Sequence, residues 1–405
     1  MSDADLLLHK GREALAAGKG EQARSFFARA AQAAPTEAMP RALLSMTLAL
    51  LGKHAPAVDA GKAAAALAPD DPDVQATLGN ALRAAGNAPE AVVALDRACA
   101  LAPERGALRA ALANALHEAG RSLDAVRAAR AGIEAEPDSP DAYGVLGAVL
   151  FEIGRAGEAM GVTRAALERW PDDERLLSSL ASALNYEHET PAQPALARAR
   201  ASLEAHRRFA ELTLQHAAPL PPAPIRDPRP DRPLRVCLLS PDLRTHSVAY
   251  FVLPLLEHAD RSRVEFHCYA LSAQEDAITA RLKRAAAGWR RLAGVAPRMI
   301  AEQARRDGID VLIDLAGLTD GTGLEVLAHA PCPVQATYCG YPNTTGLGAA
   351  GMPAEWMDDD AASVWRIVDA LTDPLDGPVP ADEVHTERLL RLDGCFLCYA
   401  GPAAA

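Results

Sequence analysis

Glycine recurs at Gly18, Gly52, Gly86, Gly120 and Gly154, in steps of 34 residues. Two further residue types keep the same step: Ala23, Ala57, Ala91, Ala125 and Ala159, then Pro35, Pro69, Pro103, Pro137 and Pro171. Three residue types in phase over five periods leave few folds open. Glycine belongs where a helix stops, because it adopts a left-handed backbone at no steric cost. Alanine belongs where two helices must approach closely. Proline belongs where a helix has ended, since it lacks the amide that would continue it. The phase predicts helix-turn-helix units that stack side by side, each burying its apolar face on the next.

A period of 34 with these small, alanine and proline positions resembles the tetratricopeptide repeat. Gly11, Gly79 and Gly147 stand seven residues before the turn glycine, and Ser45 and Ala113 take that place in the second and fourth repeats. After Pro171 the pattern loosens, with His188 and Gln193 where glycine and alanine are due, so 172–214 reads as a degenerate repeat and a terminal helix. The resemblance implies a superhelix spanning 1–214 whose concave face holds a peptide or partner protein. Pro219 to Pro233, PLPPAPIRDPRPDRP, has no periodicity and reads as a stiff connector over 215–233.

From Leu234 the period changes. Apolar, strand-like runs cover Val236 to Leu239, Val264 to Leu271, Val311 to Leu315 and Val334 to Tyr338. Helical patterns lie between and after them, around Ser247 to Glu257, Asp276 to Ala287, Pro297 to Asp307 and Leu324 to Ala328. This alternation predicts an α/β domain over 234–405, with a parallel sheet covered on both faces. Strand ends then gather His246, the Gly317-Leu318-Thr319 loop and Gly340 to Gly346 along one edge, where open α/β sheets bind ligands.

Composition narrows the function. A formal net charge of −12 over 405 residues provides no basic footprint for phosphate, so a nucleic-acid partner is not expected. The start, MSDADLLLHKGREALAAG, does not resemble a secretory signal, and no apolar run approaches a membrane span; a cytoplasmic protein with no membrane partner is the expectation. The seven cysteines have no framework spacing, and Cys395 and Cys398 lack the second pair or histidine cluster that a metal needs, so no metal site is expected.

In order after the repeats come SPDLRTHSVAYF, DGIDVLIDLAG, PVQATYCGYPNTTG and HTERLLRL. These stretches, over almost all of the chain, resemble the O-linked N-acetylglucosamine transferase and Spindly group of glycosyltransferases. The resemblance implies a catalytic region of two facing Rossmann-like domains, the GT-B arrangement. There a sugar moves from a nucleotide diphosphate sugar to a Ser or Thr hydroxyl of a protein threaded along the array. The donor would be UDP-N-acetylglucosamine, or GDP-fucose as in the Spindly branch, with no separate cofactor. His246 matches the family's active-site histidine, as a base or a substrate-positioning group. Gly340, Tyr341, Pro342, Asn343, Thr344, Thr345 and Gly346 match the loop lining the sugar side of the cleft, where backbone amides and short hydroxyls meet oxygen-rich ligands.

The chain departs from the family in four places. Leu318 replaces a polar histidine or tyrosine, and Cys339 replaces a leucine. GAAGMPAEWMDDDAAS is extra sequence before Val364; its Gly346 to Gly351 stretch formally matches GxGxxG but reads as an insertion. The chain stops shortly after FLCY, ahead of the family's second Rossmann-like domain, which implies little turnover by this chain alone. A non-catalytic repeat scaffold that binds proteins is the alternative reading.

Overall fold

The computed structural model describes residues 2–187, 194–221, 232–319, 321–348, 364–375 and 379–399. The chain divides into two compact units, Met1–Ala183 and Leu184–Ala405.

The first unit is helical. Its pairs are α1 (Asp3–Ala16) with α2 (Gly20–Ala33), α3 (Met39–Leu50) with α4 (His54–Leu67), α5 (Pro72–Ala84) with α6 (Ala88–Leu101), α7 (Gly106–Glu118) with α8 (Ser122–Ala135), and α9 (Asp141–Glu152) with α10 (Ala156–Leu167); α11 (Glu174–Leu184) opens a sixth repeat. The phased residues perform the tasks their chemistry suggests. The five turn glycines all have positive φ, between 67° and 80°. At the third, the Gly86 amide donates to the Arg83 carbonyl and the Asn87 amide to the Leu82 carbonyl, so the helix end is satisfied from within. The phased alanines are buried where the paired helices meet. A Cβ on Gly79 would lie 2.5 Å from Cγ of Leu95, which is why the small position is small. Ser45 is tolerated there because its hydroxyl donates to the Ala57 carbonyl at 2.7 Å.

Neighbouring repeats are also joined by polar side-chain pairs about one period apart. Arg83 meets Glu118 at 2.7 Å, His117 meets Glu152, and Arg175 meets Asp141 at 2.8 Å. These pairs are exposed, so each contributes at most about 1 kcal/mol. They do mark a position in the repeat, 83 and then 117, that faces the following unit.

The second unit begins before the proline-rich stretch. Its first long helix, α12 (Ala195–His216), buries Leu203, His206, Phe209, Ala210 and Thr213. The chain beyond it stays docked: the Leu220 amide donates to the His329 carbonyl at 2.9 Å, and His329 Nδ1 donates to the Ala218 carbonyl at 2.8 Å. Residues 222–231 of the expected connector, and His188 and Gln193 of the expected degenerate repeat, lie outside the described residues.

A seven-stranded parallel sheet follows: β1 (Leu234–Ser240), β2 (Val264–Ala270), β3 (Gly288–Arg291), β4 (Val311–Asp314), β5 (Val334–Thr337), β6 (Val364–Asp369) and β7 (Arg388–Leu392). Its order is β3-β2-β1-β4-β5-β6-β7, with every described pair parallel. The helices are α13 (Ser247–His258), α14 (Ala277–Ala285), α15 (Pro297–Arg306) and α16 (Leu324–Ala328). Val236 and Leu238 of β1 pack with Val248, Val252, Leu253 and Leu256 of α13 to make the core. The four apolar runs are strands, as their composition predicts. β3, β6 and β7 add three more: β3 is four residues long and contains two arginines, and β7 is an edge strand whose Arg-Leu-Leu-Arg-Leu leaves Leu390 and Leu392 exposed. The order reverses direction between β1 and β4, which makes the carboxyl ends of those strands a topological switch point.

Candidate functional site

His246 follows β1 and caps the first turn of α13. Its backbone is extended, with φ −156° and ψ 155°, and Nδ1 accepts the Val248 amide at 3.3 Å. Nδ1 is also 3.8 Å from an Asp242 carboxylate oxygen, and the ring is 39% exposed. A ring nitrogen that accepts an amide proton carries none itself, so in the neutral ring the proton is on Nε2. The preceding residue is held too: the Thr245 amide donates to Asp276 Oδ2 at 2.6 Å. Asp276 also caps α14 through Thr279. Burial opposes its ionisation, but bonds from Thr245 and Thr279 hold its carboxyl down to about 2.

The loop after β4 is turned by Asp314. Its Oδ2 accepts the amides of Ala316 at 3.2 Å and Gly317 at 2.6 Å, which positions Leu318, buried, and Thr319. Gly317 has φ +59°, and a Cβ there would lie 2.2 Å from Cβ of Tyr341, so this loop backs directly on the next one. Burial pushes the Asp314 carboxyl up to about 7 against those two amides, and its Oδ1 has no hydrogen-bond partner among the described residues.

The loop after β5 is braced from several sides. Cys339 has φ +50°, and a Cβ on Gly340 would sit 1.6 Å from the Leu315 carbonyl oxygen. From one side, Arg366 on β6 donates to the carbonyls of Asn343 at 2.7 Å and Tyr341 at 2.8 Å. Glu387, ahead of β7, accepts the Thr344 hydroxyl at 2.5 Å, the Thr345 hydroxyl at 2.5 Å and the Thr345 amide at 2.6 Å. Burial alone would raise the Glu387 carboxyl; the threonine bonds and the Arg366 charge bring it below the ordinary value. From the other side, α12 and Asn185 hold Tyr341 and Asn343. Gly346, at φ +82°, lies where a Cβ would be 2.2 Å from the His206 carbonyl oxygen.

Strand order puts the two expected regions on one edge. His246 follows β1, Gly340 to Gly346 follow β5, and the β4 loop lies between them. Within the loop, the side chains of Tyr341, Asn343, Thr344 and Thr345 bond inside the protein, while Pro342 is exposed and Gly340 partly so. A cavity of about 310 Å³ opens on the same edge between Leu271, Leu292, Ile300, Thr322 and Val326. Among the described residues, no group of three or more His, Cys, Asp or Glu converges as metal ligands would, and no helix is long and apolar enough to cross a membrane. Cys395 and Cys398 are free and exposed. Residues 349–363, most of the extra sequence with Gly351 of its glycine motif, lie outside the described residues.

Five residues of this site were not anticipated: Asn185, Ser202, His206, Arg366 and Glu387. A signal existed for two of them. His206 interrupts the apolar face of α12 between Leu203 and Phe209, and Glu387 sits inside the HTERLLRL motif.

Residues 188–383 match the model of glycosyl transferase family 41. The SPINDLY protein of Arabidopsis thaliana, named a probable UDP-N-acetylglucosamine–peptide N-acetylglucosaminyltransferase, is 36% identical over 182 residues, 43% of this chain and 18% of that protein. The UDP-N-acetylglucosamine–peptide N-acetylglucosaminyltransferase of Caenorhabditis elegans is 33% identical over 144 residues, 35% of this chain and 11% of its own. The chain thus spans about a fifth or less of the length of these relatives. A solved structure of a mutant O-GlcNAc transferase from Thermobaculum terrenum is 25% identical, with a TM-score of 0.42, over 97% of this chain and 58% of that one. With its 34-residue repeats, its parallel sheet and the matched stretch from 188 to 383, the chain is similar to the O-linked N-acetylglucosamine transferase and SPINDLY proteins.

Proposed function

We propose that residues 188–383 form the acceptor- and sugar-facing half of a protein O-glycosyltransferase. It moves a sugar from a nucleotide diphosphate sugar to a Ser or Thr hydroxyl of a protein held by the repeat array. The donor is UDP-N-acetylglucosamine, the nucleotide sugar in the names of its relatives. The observation that carries this reading is the placement of His246 at the carboxyl end of β1, on the same sheet edge as the Gly340–Gly346 loop, inside the stretch that matches the family.

In such a transfer the acceptor oxygen bonds to the anomeric carbon as the bond from that carbon to the diphosphate oxygen breaks, and the hydroxyl proton must leave. His246 suits one part of this. With Nδ1 holding the Val248 amide, the neutral, partly exposed ring keeps its proton on Nε2 as a donor. It orients an oxygen of the acceptor or donor, and it would serve as a base only by giving up its cap on α13. The loop contributes backbone at Gly340 and the exposed ring of Pro342, whose apolar face suits the C–H face of a pyranose. Thr344 and Thr345 support the loop through Glu387.

The test is transfer to Ser/Thr peptide arrays, read as a mass shift, with UDP-N-acetylglucosamine and GDP-fucose supplied separately. Transfer from the first donor that drops at least tenfold in His246→Ala supports the reading. Transfer from GDP-fucose alone places the chain with a fucosyl donor, and no mass shift with either refutes it. The scaffold reading is favoured by one observation, that the loop's polar side chains are already bonded inside the protein; it predicts peptide capture without transfer.

A further inference from the structure

Four hydrogen bonds run head to tail beneath the Gly340–Gly346 loop. The Asn343 amide nitrogen donates to Asn185 Oδ1 at 2.8 Å, and the Asn185 amide nitrogen donates to the Tyr341 oxygen at 3.0 Å. The Tyr341 hydroxyl donates to His206 Nε2 at 2.9 Å, and His206 Nδ1–H donates to the Ser202 carbonyl at 2.7 Å. Asn343 closes the circuit by donating also to the Ser202 hydroxyl at 3.0 Å. His206 is fully buried, and Ser202 and Tyr341 nearly so. Each donor polarises the next, and each group has one workable orientation. Asn185 has a second property: it lies one and two periods beyond 151 and 117, at the repeat position held by Arg83 and His117. Those two residues bond to the following repeat, at Glu118 and Glu152, whereas Asn185 bonds to the β5 loop.

We propose that Asn185 and His206 are positioning residues for the sugar-side loop. They touch no ligand; acting through Tyr341 and Asn343, they fix the height and tilt at which Gly340 and Pro342 meet the donor. This rests on the transferase reading of the loop. The last repeat position thereby sets the geometry of the sugar site.

The experiment uses the full chain, with Tyr341→Phe, Asn185→Ala and the double variant. Amide hydrogen exchange is read over 338–348, with β1 as the internal control for folding, and UDP-N-acetylglucosamine binding is titrated by calorimetry. Removing the Tyr341 oxygen breaks two links at once, so exchange in the loop speeds up about tenfold or more while β1 is unchanged. Donor binding weakens by a similar factor, and the double variant loses less than the product of the two single effects, because both substitutions remove the Asn185–Tyr341 link while only Asn185→Ala also frees Asn343. Loop exchange that stays at the wild-type rate, or effects of the two substitutions that multiply, overturns the positioning role. If the wild-type chain binds no donor while loop exchange responds as expected, the brace stands, and the transferase reading of the loop is what fails.

Discussion

Two buried groups of the second unit titrate with opposite sign, and acid titration of single variants separates them. Burial lowers His206 from the ordinary 6.5 to about 4, against the pull of the Ser202 carbonyl and Glu387. It raises Asp314 from 3.8 to about 7. For His206 the unfolded chain binds the proton more readily. The stability this ring contributes is complete above pH 6.5 and is lost as pH falls toward 4. For Asp314 the folded chain binds the proton more readily. Its contribution is complete below pH 3.8 and is lost as pH rises through 7. At roughly 1.4 kcal/mol per unit of displaced pKa, each amounts to about 3 kcal/mol between pH 4 and 6.5. In the wild type the two nearly offset each other. Asp314→Asn, which cannot titrate, exposes the histidine: the urea midpoint of the α/β unit climbs with pH across that window. His206→Gln exposes the carboxyl, and the midpoint falls as pH rises. Urea melts at half-unit pH steps, read through amide exchange in β1 and β4, compare the slopes. Carboxylates that do not act on either group contribute equally to all three proteins, so variant curves that run parallel to wild type would refute the assignment of both groups.

Three further outcomes follow from the geometry. His246→Asn keeps a side-chain oxygen on the α13 amide but removes Nε2–H, so it melts within a few tenths of a kcal/mol of wild type, and on the proposed transferase reading it loses transfer; His246→Ala costs about 1 kcal/mol in stability as well, as lost caps do. Gly346→Ala forces a Cβ to within 2.2 Å of the His206 carbonyl at φ +82°, whereas Gly154→Ala, at φ +80° with nothing within 4 Å, meets only the backbone penalty. The first should cost several kcal/mol in a thermal melt and the second about 1 kcal/mol. Glu387→Ala leaves Arg366 buried without the carboxylate that most favours its charge and frees Thr344 and Thr345; denaturant titration should show a loss of about 3–5 kcal/mol.

The repeats were legible because their information is local. A turn glycine, a contact alanine and a terminal proline each report their own backbone, and five copies repeat the report. The four apolar strands were legible for the same reason. β3 was not, since Gly-Trp-Arg-Arg becomes a strand only by pairing with His267 to Ala270. The sheet edge that gathers His246 and the β5 loop followed from strand ends alone. The brace beneath that loop did not, because Asn185 and Tyr341 are 156 residues apart and nothing in either local pattern names the other. Thr344 and Thr345 show the same limit: a hydroxyl-rich turn looks alike whether its oxygens face a ligand or, as here, a buried glutamate.

The head-to-tail circuit also bears on how such a chain can change over time. Each of its members dictates what its neighbour must be. A phenylalanine at 341 strands an acceptor at 206, and a donor-only residue at 206 meets the Tyr341 proton head on. Substitutions at 185, 202, 206, 341 and 343 are therefore expected to arrive in compensating sets across homologous chains, even though these positions belong to three separate stretches of sequence. A lineage that has abandoned one of the five should have rebuilt the others.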